Sequence, residues 1–267
     1  MDLQLNGKRA LVTGSSSGIG EAIAKVLAKE GAAVVVHGRQ EKEADRVAQE
    51  IVSSGGKAVV VLGDLSDDQA AAQVAEKALS AFGGIDILIN NAGAFPPGDW
   101  SNEKPAQWVN LYNQNVGSMV RMIQHLVPPM KQRGWGRVVN LASTVAAMPF
   151  ANGPHYAATK AASTNLTGSL AKELAGTGIT VNVVSPGLIH TPATEPIVRG
   201  IAQQMGWGDD WAEIEKRTVK EVIPNLIGRI GHPEDVADAI AFLVSPRASY
   251  INGTNIRIDG GAVPTTN

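Results

Sequence analysis

Apolar residues, rich in valine and isoleucine, gather in short runs at residues 10–13, 33–37, 58–62, 85–90, 137–142, 180–185 and 255–258. Within each run they are nearly continuous, not alternating with polar ones. That is the pattern of strands covered on both faces, as in a parallel sheet flanked by helices. Between the runs lie amphipathic stretches at 21–30, 41–53, 67–82, 106–131, 156–175 and 234–243; in the first, Ile23, Val26 and Leu27 share one stripe. Strand alternating with helix predicts an α/β fold: a doubly wound, mostly parallel seven-stranded sheet with helices on both faces and right-handed crossovers. No linker, low-complexity tract or short repeat interrupts this order, so residues 1–267 read as a single domain. One segment breaks the rhythm. Residues 195–225, between the sixth and seventh strands, are helical in pattern and carry Trp207 and Trp211. Such an insertion at the carboxyl end of a parallel sheet is expected to cover a binding site.

Composition narrows the function. Of 267 residues, 44% are hydrophobic and 18% charged, as in a globular protein with a full core. A net charge of -2 and a pI of about 6.2 argue against nucleic-acid or anionic-membrane partners, which favour basic surfaces. The chain has no cysteine, which excludes disulfides, thiolate catalysis and cysteine-bound zinc. Five histidines without a tight carboxylate–histidine cluster predict no metal site. The opening Met1-Asp2-Leu3-Gln4-Leu5-Asn6-Gly7-Lys8 lacks the form of a signal peptide, and the apolar runs are too short to span a membrane. The expected location is cytoplasmic.

The first strand runs into Thr13-Gly14-Ser15-Ser16-Ser17-Gly18-Ile19-Gly20, and a helix follows. Glycines at these places allow a tight turn with positive φ, close approach of backbone to a pyrophosphate and close packing of helix on strand. The helix N-terminus offers free N–H groups and a positive dipole end to an anion. In NAD-binding folds an acid about 20 residues further on accepts hydrogen bonds from the ribose hydroxyls. Here the second strand ends in His37-Gly38-Arg39, and Glu41 and Glu43 come only in the next helix. The planar cation of Arg39 suits a 2′-phosphate, with Ser15 and Ser16 as further hydroxyl donors. The expected cofactor is therefore NADP(H), with NAD(H) as the alternative. Asp64-Leu65 follows the third strand, where Asp64 also suits a helix N-cap. Asn90-Asn91-Ala92-Gly93 closes the fourth, its small residues admitting a cofactor and its amides able to tie strands together.

Tyr156-Ala157-Ala158-Thr159-Lys160 carries the chemistry. Four residues apart on a helix, Tyr156 and Lys160 share a face. A tyrosine pKa near 10 is high for a base at neutral pH, and a nearby lysine cation is expected to lower it. In reduction Tyr156 would donate its proton to the developing alkoxide. Ser143 ends the fifth strand, thirteen residues before Tyr156, where a hydroxyl can stabilise charge on a substrate oxygen. Asn115 lies inside the 106–131 helical pattern, though asparagine is a poor interior helix residue.

The TGxxxGIG turn, the NNAG stretch and the ordered Ser143, Tyr156 and Lys160 resemble the short-chain dehydrogenase/reductase family, and are similar to its 3-oxoacyl-carrier-protein reductases. The resemblance covers the whole chain, ending in Ile256-Arg257-Ile258-Asp259-Gly260-Gly261. It implies a dinucleotide-binding catalytic domain that transfers a hydride between a nicotinamide and a carbonyl or secondary alcohol. It makes Asn115, Ser143, Tyr156 and Lys160 catalytic, with Asn115 kinking its helix and holding a water that links the lysine to solvent. It places Gly14 to Gly20, Arg39, Asp64 at the adenine, Leu65, Asn91, Ala92, Gly93, Pro186, Gly187, Ile189 and Thr191 around the cofactor. It implies a homotetramer formed through the Tyr156–Lys160 helix and the last strand. Substrate walls are expected from Phe95, Val145, Phe150, Leu188 and the 195–225 segment, mostly apolar and suited to a substrate with a hydrophobic portion; Trp207 and Trp211 fit plain packing equally well. His190 reads as incidental, His155 as structural or pocket-lining. The partner is thus a small carbonyl or alcohol. An NAD-linked alcohol or sugar dehydrogenase and a non-catalytic NADP-binding regulator are the alternatives.

Overall fold

The computed structural model of the protein describes residues 1–265. Each apolar run forms a strand: β1 (Arg9–Val12), β2 (Ala33–Gly38), β3 (Lys57–Leu62), β4 (Ile87–Asn90), β5 (Gly136–Leu141), β6 (Ile179–Pro186) and β7 (Asn255–Ile258). They make one seven-stranded sheet in the order β3-β2-β1-β4-β5-β6-β7, and every pairing is parallel. The helices are α1 (Gly18–Lys29), α2 (Glu41–Ser53), α3 (Asp68–Ala81), α4 (Pro105–Tyr112), α5 (Ser118–Arg133), α6 (Pro154–Glu173), α7 (Glu195–Met205), α8 (Trp211–Arg217) and α9 (Pro233–Leu243).

The apolar runs are continuous because successive strand residues enter opposite cores. Ala10, Val12, Val34, Val36, Ile87 and Ile89 pack with α1, α2 and α9. Leu11, Val35, Leu88, Val138 and Val181 pack with α3, α5 and α6. Each such buried aliphatic contributes about 1.5–3 kcal/mol relative to exposure. Strand order reverses between β1 and β4, which opens a crevice at the carboxyl ends of the strands.

Two expectations are corrected. Residues 106–131 are not one helix. A π-helical turn, Asn113–Gly117, separates α4 from α5. Asn115 sits in that turn, 1% exposed. Its Oδ1 accepts from Ala94 N–H at 2.7 Å, and its Nδ2 donates to Ala94 O at 3.0 Å and to Thr159 Oγ1 at 3.1 Å. The side chain thus substitutes for a strand partner on the loop after β4. Second, the 195–225 segment builds a small core of its own from Val198, Ala202, Trp207, Ile214, Val219 and Ile230. Trp207 is 7% exposed and fills that core, so it is a packing residue and not a pocket wall. Among the described residues no helix is long and apolar enough to cross a membrane.

Candidate active site

The glycine turn is packed against the end of β4. Gly14 has φ +63°, and a Cβ there would lie 2.9 Å from Ala92 Cα; a Cβ on Gly20 would lie 2.3 Å from Gly14 O. Asn91 Nδ2 donates to Thr13 O at 3.0 Å and Gly14 O at 2.9 Å, and Thr13 Oγ1 accepts from the N–H groups of Asn91 and Ala92. One residue went unforeseen. His37 Nδ1 accepts from Gly14 N–H at 3.1 Å, and its Nε2 lies 3.2 Å from Gly63 O. This pair of partners requires the neutral Nε2–H tautomer. Burial, aided by the Arg39 charge, pushes the imidazole down to about 4. The signal was available: a lone polar residue at the tip of an apolar strand.

A cavity of about 250 Å³ runs from Gly14, Ser16 and Ser17 past Gly38 and Arg39 to Asp64 and Leu65, with Asn91, Ala92 and Gly93 on its other side. Gln114 and Ser118 also line it, and sequence spacing gave no hint of them. Ser15 takes no part. It is 0% exposed, its Oγ donates to Val12 O and accepts from His37 N–H, and its role is to lock the turn. Asp64 accepts from Ser66 N–H at 2.9 Å and Ser66 Oγ at 2.7 Å, which lower its pKa. It does not cap the next helix; Asp67 does, through Ala70 N–H. A glycine cradle at a helix N-terminus, followed by a hydroxyl, a guanidinium and an aspartate already engaged by Ser66, fits a dinucleotide with a 2′-phosphate.

A second cavity, about 300 Å³, shares that turn. Ser17, Gly18, Ile19 and Gly20 form one wall; Tyr156, Lys160, Leu141 and Ala142 form the facing one; Pro186 and Thr191 close an end. Lys160 Nζ donates to Leu141 O at 2.8 Å and lies 5.5 Å from the Tyr156 ring centroid. Burial pushes the ammonium down to about 8. Burial also pushes the Tyr156 phenol up to about 12, with hydrogen bonding from Ser143 pulling the other way. The phenol pKa is thus raised, not lowered as expected, because burial penalises the phenolate. Ser143 lies two residues past the end of β5 and caps the short turn Thr144–Ala146.

The remaining expected residues divide. Phe95 lines the catalytic cavity and packs on Tyr156 with centroids 4.5 Å apart. Val145 is buried beneath its turn, Phe150 is 43% exposed, and Leu188 packs on the small core; none of the three walls this cavity. Nor does any residue of 195–225. Gly187 N–H bonds Ile258 O at 3.0 Å, and a Cβ there would meet Asp259 Cα at 3.0 Å, so this glycine serves the approach of β7. The Ile189 side chain lies in the core, leaving only its backbone for a ligand. His190 is not incidental: its ring stacks on Trp211 at 4.4 Å and its Nε2 lies 3.1 Å from Glu195, which ties α7 and α8 to the loop after β6.

Residues 14–263 match the protein family described as enoyl-(acyl carrier protein) reductase. An uncharacterised oxidoreductase of Bacillus subtilis, YvaG, is 38% identical over 264 residues, which cover 98% of each chain. The 3-oxoacyl-[acyl-carrier-protein] reductase FabG of Vibrio cholerae is 34% identical over 260 residues, 97% of this chain and 98% of its own. The crystal structure of L-sorbose reductase from Gluconobacter frateurii, complexed with NADPH and L-sorbose, superposes with a TM-score of 0.93 at 36% identity, covering 99% of this chain and 100% of that one. The chain belongs to the short-chain dehydrogenase/reductase family, nicotinamide-dependent oxidoreductases acting on CH–OH and C=O groups.

Proposed function

We propose that the protein is an NADP(H)-dependent reductase of a small carbonyl compound, with Tyr156 as its acid. The reading rests on the cavity that sets the glycine turn opposite Tyr156 and Lys160. The dinucleotide would lie along Gly14 and Ser17–Gly20, with Ser16 and Arg39 at its 2′-phosphate, Asp64 and Leu65 at the adenine, Asn91 to Gly93 alongside, and Pro186, Thr191 and the Ile189 backbone at the nicotinamide. Bound there, it supplies or accepts the hydride. The G. frateurii enzyme, crystallised with NADPH, supports this cofactor.

The side chains divide the remaining work. Ser143 hydrogen-bonds the substrate oxygen and steadies the charge that develops on it. Tyr156, fully protonated at neutral pH because its pKa is held near 12, delivers the phenol proton to that oxygen. Below about pH 8 Lys160 is a cation beside the phenol and favours the phenolate left behind. Asn115 acts at one remove, holding the Ala94 loop and Thr159 of α6 together. For the assembly we propose a homotetramer formed through α6 and β7.

Titration with NADPH and NADH, followed by nicotinamide fluorescence, tests the cofactor. NADPH is expected to bind at least tenfold tighter, and Arg39→Asp to remove that preference; equal affinities would mean that Arg39 reads no phosphate and that the enzyme is NAD-linked. Tyr156→Phe is expected to lower kcat by roughly 10²–10⁴ while leaving NADPH binding within about twofold. A non-catalytic regulator would lose nothing.

A further inference from the structure

Beside the catalytic cavity lies another, of about 480 Å³, which shares Ala94 and Phe95 with it. The Phe95 ring, 4.5 Å from Tyr156, is the partition between the two. Its polar lining comprises Glu103, Gln107, Asn110, Gln114 and His155. His155 precedes Tyr156 on α6, so the same rigid helix carries both. The imidazole is 2% exposed, yet its buried Nδ1 has no hydrogen-bond partner among the described residues. Buried polar groups are paired as a rule, and an exception requires an explanation. Tilted aromatic packing flanks the ring: Trp108 lies 5.9 Å from it at 51° and Trp100 5.3 Å from Trp108 at 46°. The chain also keeps space at the ring edge. A Cβ on Gly98 would lie 2.5 Å from His155 Cε1 and 2.7 Å from Glu103 Oε1, so only glycine leaves this corner open.

We propose that this cavity is a subsite for the hydroxyl-bearing arm of the substrate, and that the substrate class is polyhydroxylated ketones. The proposal rests on the reading of Tyr156 as the acid. With the carbonyl at Tyr156, an arm passing Phe95 reaches His155 and Glu103. A hydroxyl both donates and accepts, and so satisfies a carboxylate, side-chain amides and an imidazole nitrogen together. Glu103 repels an anionic arm, and an apolar arm leaves the imidazole unpaired.

The experiment is NADPH-dependent reduction of a panel of ketopentoses and ketohexoses against cyclohexanone, by the wild type, His155→Phe and Glu103→Gln. The wild type is expected to favour at least one ketose at least tenfold in kcat/KM. His155→Phe is expected to lower that value about ten- to a hundredfold, with cyclohexanone reduction and NADPH affinity within about twofold. Its melting temperature is expected to hold or rise, since an apolar ring replaces an unpaired polar one. Glu103→Gln, on a part-exposed residue, is expected to show the same selective loss and serves should the first variant not fold. Equal losses on both ketones, or no loss on the ketose, overturn the proposal. Cyclohexanone reduction without any ketose reduction overturns the subsite and leaves the role of Tyr156 standing; turnover of neither ketone overturns both.

Discussion

His37 ends a strand that is otherwise apolar, and its two nitrogens bridge the glycine turn to the end of β3. Only the neutral ring can accept from Gly14 N–H, so its protonation and the geometry of the turn are linked. The ring's pKa is 6.5 in the unfolded chain and about 4 in the fold. Between those values the unfolded chain takes up a proton that the folded one refuses. Stability is therefore complete above pH 6.5 and declines as pH falls, by on the order of 3 kcal/mol at about pH 4. Urea unfolding of the wild type and His37→Asn across pH 4–7 is expected to show a slope in the first that the second lacks; parallel curves would mean that His37 does not titrate with unfolding. Residues of this kind escape sequence reading because their meaning lies in direction. The TGxxxGIG spacing made the turn legible, but not that the Ser15 hydroxyl faces inward while that of Ser16 lies against Gly38 at the cavity wall. The Tyr156–Lys160 spacing gave a shared face, but not that the ammonium is engaged by Leu141 O and that burial sets the phenol pKa.

One π-helical turn adds a residue, so the buried apolar positions step by five from Leu111 to Val116 before helical spacing resumes at Met119 and Met122, a shift of one residue within an otherwise helical pattern. Asn115 marks the place, as its poor helix propensity and the family resemblance suggested, and the structure adds what it does there, pairing both backbone groups of Ala94. This element positions the loop that walls every cavity of the site, as Ala94 lines all three. Asn115→Leu is expected to cost about 2–4 kcal/mol by denaturant unfolding, because two backbone groups lose their partners. Asn115→Asp keeps the bond from Ala94 N–H and is expected to fall between. A leucine variant as stable as the wild type would show that the turn stands without its side chain. Strands, by contrast, were legible almost to the residue, because a core on each face leaves most of their positions apolar; exceptions such as His37, Asn140 and Asn182 are buried and hydrogen-bonded. The 195–225 segment was legible as helical but not in its orientation. A pair of tryptophans announces burial without saying against what, and here Trp207 turned into a local core while Trp211 met His190.

Across the whole molecule, the proposed assembly gives α6 two jobs, one on each face. Tyr156, Thr159, Lys160, Ser163 and Thr167 turn inward to the site and to β5, where Thr167 accepts from Asn140 Nδ2 at 2.9 Å. Ala158, Ala161, Asn165 and Ser169 lie exposed along the opposite stripe. Their small side chains allow another helix to approach closely, and no long charged side chain lies on the stripe before Lys172 in the last turn. A chain of 27.9 kDa that assembles as we propose is expected to scatter light as a particle of four times that mass. Asn165→Arg puts a bulky cation at the centre of the stripe, about one and a half turns from Lys160, and is expected to reduce the mass to half or a quarter. Because the helix that would lose its partner is the one that fixes Tyr156 and Lys160, activity should fall with it while the fold, read by far-ultraviolet circular dichroism, persists. A wild-type mass equal to one chain at micromolar concentration would end the tetramer proposal, and would leave α6 as a single-purpose helix whose outer face is small for no reason that the site supplies.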